Sequence, residues 1–176
     1  MSVQTVFLRV DQAERRVCLL ANAAARQHVV RKLFQTVSRL GDGVFWYTLM
    51  AVLPIAFGVD GLLTSAQMLA AGLVGLALYK LLKHSLVRER PFIGLLGIEC
   101  AMPPLDRYSF PSGHTLHAVL FTCIAVTHFP VLGLVLVPFA LLVAASRVIL
   151  GLHYPTDVAA GAALGAALAM MSEWLR

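Results

Sequence analysis

Five apolar runs dominate this 176-residue chain, at residues 44–59, 68–82, 115–129, 131–145 and 158–175. A membrane-crossing helix needs about 20 mostly apolar residues at a rise of about 1.5 Å each. Several runs reach that length only when flanking residues join the helix. The pattern predicts an all-α, polytopic transmembrane bundle of about five spans, or about six if part of the N-terminal segment inserts. Composition agrees: 59% of residues are hydrophobic and 13% charged. A soluble domain has about 45–50% and about 25%. Both an ordinary soluble globule and a disordered chain are thereby excluded. Three cysteines, Cys18, Cys100 and Cys123, are too few and too scattered for a disulfide framework or a cysteine-based zinc site.

The N-terminal segment has a different character. It holds seven of the 14 Lys and Arg residues: Arg9, Arg15, Arg16, Arg26, Arg31, Lys32 and Arg39. Its apolar residues recur at three- and four-residue steps, as Val17, Leu20, Ala24 and then Val30, Phe34, Val37. This predicts amphipathic helix, lying at a membrane surface or packed on the rest of the protein. The chain thus divides into an interfacial segment, 1–43, and a transmembrane domain, 44–176. The net charge of +5 points to anionic head groups or a phosphorylated substrate and not to nucleic acid. In the last run Gly161 and Gly165 form a G-x-x-x-G, which predicts close helix packing within the bundle.

Polar residues collect where the apolar runs end, and counting the crossings puts three such clusters on one face. The first runs from Lys83 through Arg90 to Pro91. The second is Pro111, Ser112, Gly113 and His114, where Ser and Pro predict a helix start with Ser112 near its N-cap. Free amides and the helix dipole make that start an anion site. The third runs from Ser146 and Arg147 to His153 and Asp157. A carboxylate four residues from an imidazole can hold one ring nitrogen and sharpen the other as base or nucleophile. The opposite face carries a sparser set: Asp60, His128, Glu173 and Arg176.

The ordered pattern K-x6-R-P, P-S-G-H and S-R-x5-H-x3-D resembles the type-2 phosphatidic acid phosphatase superfamily, in its membrane branch. The resemblance implies a phosphatase that works through a phosphohistidine. By this likeness His153 is the nucleophile, Asp157 orients it and His114 is the general acid. Lys83, Arg90, Arg147, Ser112 and the Gly113 amide hold the phosphate. Three fixed cations and helix-end amides can stabilise the transferred phosphoryl group. No metal or other cofactor is expected, since nearby carboxylates are few: Asp157, Glu89, Glu99 and Asp106. His84 and His117 read as supporting residues or helix-surface polar groups, Arg88 and Arg107 as solvated loop cations in preference to contacts of a second phosphate or a lipid head group, and residues 92–110 as the wall of a substrate entrance.

The expected partners are a membrane lipid phosphate and the bilayer. Undecaprenyl pyrophosphate is favoured; phosphatidylglycerophosphate, phosphatidic acid and lipid A phosphates also fit. Rival readings are a catalytically silent lipid-phosphate binder or transporter, and a structural subunit. Retention of His114, His153 and Asp157 argues for the enzyme. The expected location is the inner (cytoplasmic) membrane. Lys/Arg bias alone would put the basic, polar end in the cytoplasm. The family's usual arrangement puts the site on the outer, periplasmic face, which is the orientation favoured.

Overall fold

The computed structural model describes residues 3–104 and 106–175, and every regular element among them is helical. In chain order these are α1 (Val3–Ala24), α2 (His28–Arg39), α3 (Phe45–Ser85), α4 (Pro91–Gly94), α5 (Gly113–His128), α6 (Gly133–Ile149) and α7 (Pro155–Trp174). Leu40–Val44 forms a π turn between α2 and α3, and Pro130–Leu132 a 3-10 turn before α6.

Helix α3 is two helices. Gly58 has φ 59° and ψ −133°, a backbone state that glycine adopts without a Cβ penalty. The Ser65 hydroxyl donates to the Met50 carbonyl at 2.8 Å. Along an unbroken helix those residues would stand about 22 Å apart. The chain therefore reverses at Gly58, slightly before the expected break at Asp60-Gly61, and Gly61 lies directly on the Leu53 carbonyl. Two helical stretches, His28–Ser85 and Pro130–Ile149, contain windows long and apolar enough to cross a membrane.

Helix α5 is the axis of the fold. Thr115, Leu116, Ala118, Leu120, Phe121, Thr122, Ile124 and Ala125 are buried along it. Helix α7 lies against it through Gly161 and Gly165, where a Cβ would collide with the Ser112 and Leu116 carbonyls. The small-residue face thus packs inside the bundle. Trp46, Met68, Leu136 and Val143 complete the core. Large apolar side chains also cover the outside, among them Ile55, Leu73, Leu134, Leu141 and Met170. Patches of this extent are unusual on a soluble protein and suit a lipid-facing surface.

The N-terminal segment folds onto the polar end of the bundle. Cys18, Asn22, Ala25 and Val37 are buried, whereas Leu8, Val17, Leu20, Val29 and Leu33 are exposed. Asn22 ties three segments: its amide donates to the Glu99 and Ile149 carbonyls, both at 3.0 Å, and its carbonyl accepts from the Glu99 N–H. At the other end of the bundle Gln67, His128, Ser172 and Glu173 form a separate polar group.

Candidate active site

All three sequence clusters meet at one end of the bundle. Lys83 ends α3, and Arg90 lies in the extended link that follows. Ser112 is the N-cap residue of α5, with Gly113 and His114 in its first turn. Arg147 is in the last turn of α6. His153 lies in the link to α7, and Asp157 in that helix's first turn. Lys83, Arg90, Ser112, Arg147, His153 and Asp157 are all buried.

Arg90 is the hub. One Nη1 bond goes to the Leu152 carbonyl at 2.7 Å, and the same nitrogen stands 3.5 Å from His153 Nε2. Its Nη2 donates to the Asp106 carboxylate at 2.7 Å and its Nε to the Asp106 carbonyl at 3.1 Å. Lys83 also donates to the Asp106 carboxylate, and to the Tyr108 carbonyl at 2.8 Å. The Tyr79 hydroxyl is the third donor to that carboxylate. Burial alone would raise the Asp106 pKa; the hydrogen bonds from Lys83 and Tyr79 and the charges of Lys83 and Arg90 outweigh it and bring it to about 2.

His153 presents its two nitrogens differently. Nε2 faces the Arg90 guanidinium, and Nδ1 lies 3.6 Å from Asp157 Oδ2, beyond a formed hydrogen bond. Burial holds the imidazole pKa well below its usual value, and the charges of Arg147, Arg90 and Lys83 lower it further. The ring is therefore neutral at physiological pH, the form that can act as a nucleophile. Arg147 donates to the Ser38 hydroxyl. Its Nε, His153 Nδ1 and His114 Nε2 are buried without a hydrogen-bond partner among the described residues. The buried Tyr154 hydroxyl is likewise unpaired, and because buried polar atoms are normally paired these atoms single out this end of the bundle as a candidate site.

His114 Nε2 lies 3.3 Å from Asp42 Oδ1, without hydrogen-bond geometry. The ring lines a cavity of about 200 Å³ between the α3 hairpin and α5, together with Trp46, Leu69, Leu73, Tyr79 and Phe121. Apolar side chains and the polar groups of Asp42, Tyr79, His114 and His117 share the cavity's lining, and Lys83, Arg90 and Arg147 lie outside it.

Residues 63–175 match the model of the PAP2 superfamily. The chain belongs to that superfamily. The PAP2 fold is also visible in solved structures. The transmembrane PAP2-type phosphatidylglycerolphosphate phosphatase of Bacillus subtilis superposes with a TM-score of 0.73 at 26% identity, covering 98% of this chain and 93% of that one. LpxE of Aquifex aeolicus gives a TM-score of 0.78 at 25% identity, over 90% and 93% of the two chains. Among curated proteins, the decaprenylphosphoryl-5-phosphoribose phosphatase of Mycobacterium tuberculosis is 38% identical over 100 residues, which is 55% of this chain and 52% of that protein. Phosphatidylglycerophosphatase B of Bacillus subtilis is 32% identical over 140 residues, 72% and 59% of the respective lengths. The matches thus span little more than half the length of these curated relatives.

Several residues of this PAP2 site are not evident from motif spacing. Arg88, expected as a solvated loop cation, is only 2% exposed. It donates to Asp157 Oδ1, to the Thr156 hydroxyl at 2.8 Å and, through Nε, to Asp11 at 2.9 Å. Its guanidinium stacks 4.0 Å from the Tyr154 ring centroid. The physical reason is the extended link. Val87 and Glu89 face out while Arg88 and Arg90 face in. That period of two is the signature of extended chain. Ser109 is equally hidden and donates to Asp157 Oδ2, which also accepts from the Tyr154 N–H at 2.8 Å. His117 has Nδ1 2.9 Å from the Gly113 carbonyl and Nε2 3.2 Å from the Gly72 carbonyl, and the neutral ring can donate to one of the two.

Proposed function

We propose that the protein is an integral membrane lipid phosphatase acting through a phosphohistidine. The observation that carries this reading is the placement of the buried His153 ring, with Nε2 turned to the Arg90 guanidinium and Nδ1 turned to Asp157. Asp157 accepts but does not donate when ionised, so it favours the tautomer with the proton on Nδ1. Nε2 then holds the lone pair.

In the proposed reaction Nε2 attacks phosphorus in line, and the bond from phosphorus to the lipid or pyrophosphate oxygen breaks. His114 gives that oxygen its proton. Lys83, Arg90, Arg147, Ser112 and the Gly113 amide hold the non-bridging oxygens, and Asp157 balances the charge on the phosphorylated ring. Water then attacks phosphorus, His114 takes its proton, and the phosphorus–nitrogen bond breaks to release phosphate. Charge stabilisation of this kind is the main demand of phosphoryl transfer. The cations present are suited to meet it without a metal ion.

A head group would meet the cations while its hydrocarbon tail follows the apolar side chains beside His114 and the lipid-facing surface. The hairpin at Gly58 supports five spans, formed by the two arms of α3 and by α5, α6 and α7. Residues 1–43 form the interfacial segment and 44–176 the transmembrane domain, placed in the inner membrane with the site on its outer face. Undecaprenyl pyrophosphate is the favoured substrate; a relative named for a decaprenylphosphoryl compound supports a polyprenyl tail. Phosphatidylglycerophosphate is the second reading, supported by the likeness to phosphatidylglycerophosphatase B.

The test is phosphate release by detergent-purified protein from a panel of lipid phosphates, beside His153→Ala. Release by wild type alone, greatest on undecaprenyl pyrophosphate, is the expected result. Equal inactivity of both on every lipid, with binding retained, would favour a binder or transporter.

A further inference from the structure

The clamp already holds an anion of its own. Asp106 accepts from Lys83, Arg90 and Tyr79, so its carboxylate sits where two of the three clamp cations converge. It differs from Asp157, the carboxylate beside His153. Asp157 is fully buried and engaged by Arg88, Ser109 and the Tyr154 amide. The Asp106 side chain is 30% exposed, against 9% for Lys83 and 2% for Arg90. It lies on a non-helical loop. A second bond holds that loop independently of the carboxylate, from Arg90 Nε to the Asp106 carbonyl at 3.1 Å. The carboxylate can therefore leave the clamp by side-chain rotation while the backbone stays anchored.

We propose that Asp106 is a specificity-determining residue: an internal ligand of the clamp that only a doubly charged phosphate group displaces. The proposal rests on the phosphate-clamp reading above. A membrane is full of phosphodiester head groups, each carrying one negative charge. Three unopposed cations beside a lipid-facing surface would bind them as well. With Asp106 in place, a phosphodiester exchanges one monoanion for another and gains little. A terminal phosphomonoester carries about 1.5 to 2 negative charges and three acceptor oxygens. It can satisfy Lys83 and Arg90 and reach Arg147, leaving Asp106 to solvent. The carboxylate thus sets a charge threshold that favours phosphomonoesters and terminal pyrophosphates over bulk phospholipid.

Binding of methyl phosphate and dimethyl phosphate tests this in a His153→Ala background, where the missing nucleophile prevents turnover and wild type refers to position 106. Both are measured by calorimetry at about pH 8, where the monoester's second ionisation, near pH 6, is complete. Wild type is expected to bind the monoester at least about tenfold more tightly, the effect of one modest charge interaction. Asp106→Asn keeps the shape and the backbone bond but removes the charge. It should tighten dimethyl phosphate about tenfold and shrink the discrimination accordingly. Equal wild-type affinity for the two probes would overturn the proposal with no change at position 106 needed. So would an unchanged ratio, or weaker binding of both probes, in a folded Asp106→Asn protein. Absence of phosphate release from every lipid would instead count against the enzyme reading and leave this binding result standing.

Discussion

Arg88 donates to Asp157 in a fully buried ion pair, and the same guanidinium reaches back to Asp11 and Glu14 of α1. The carboxylate nearest His153 is therefore positioned from outside the three motifs. Glu14 also accepts from the Thr156 N–H and hydroxyl, both at 2.7 Å, at the start of the helix that bears Asp157. An acid at a helix N-terminus is favoured by the exposed amides there.

Replacing Arg88 should thus cost turnover more than binding. Arg88→Ala is expected to lower kcat about a hundredfold, the scale of a misplaced catalytic group, with KM changed little. Arg88→Lys should recover only part of this, because an ammonium lacks the planar fork that reaches several carboxylates. Steady-state kinetics on the best substrate of the lipid panel would measure both. A large KM effect with unchanged kcat would contradict the positioning role.

Lowering pH should destabilise the fold through His153. Its folded-state pKa lies well below the ordinary 6.5. As pH falls through about 6.5, the unfolded chain takes up a proton that the folded chain refuses, so stability is lost progressively below that point. Thermal unfolding in detergent between about pH 7.5 and pH 5.5 should show a falling Tm. His153→Asn should flatten that fall. Asp106 acts on a lower window. Its depressed pKa adds stability above its ordinary 3.8, and that contribution fades as pH drops toward about 2.

Gly161 and Gly165 set the spacing between α7 and α5. A methyl group at either position meets a backbone carbonyl, which cannot move aside as a side-chain end could. Gly161→Ala and Gly165→Ala should each destabilise by about 1–3 kcal/mol, the usual cost of overpacking. Gly161 touches the residue just before the Gly113-His114 pair. Its variant should therefore lose more activity per degree of Tm lost than Gly165→Ala does.

Chelation should leave the enzyme active. Lys83, Arg90 and Arg147 carry the positive charge that a metal would supply elsewhere, so assays with and without EDTA should agree. Full loss in EDTA with recovery on Mg²⁺ would require a different mechanism.

Orientation can be read from a cysteine added after Arg176. An odd number of spans puts the C-terminus opposite the site. With the site outside, that cysteine should react with an impermeant label only after the membrane is opened. Labelling of that cysteine in intact cells, with the exposed native Cys100 replaced by serine, would reverse the assignment for a five-span chain.

Much of this architecture was legible in the residues. The five apolar runs correspond to the two arms of α3 and to α5, α6 and α7. The ends of those runs brought Lys83, Arg90, Ser112, His114, Arg147, His153 and Asp157 to one place. What stayed hidden depends on tertiary approach. Ser109 and Asp106 sit in a loop with no periodicity to read, and their partners lie on other elements. The turn at Gly58 was obscured by Asp60-Gly61, a stronger chemical break two residues on. Arg88 left one faint signal, its two-residue offset from Arg90 in a stretch too short to establish a period.

Helix α1 turns its acids inward, half-buried, and exposes its bases. Asp11 and Glu14 are turned inward onto Arg88 and Thr156, while Arg9, Arg15 and Arg16 are exposed. An anionic head-group layer would therefore meet an unneutralised cationic strip. The formal charge of +5 is thus redistributed and not raised: the two inward acids of α1 are met by buried Arg88, and the helix's own basic residues are left to face outward.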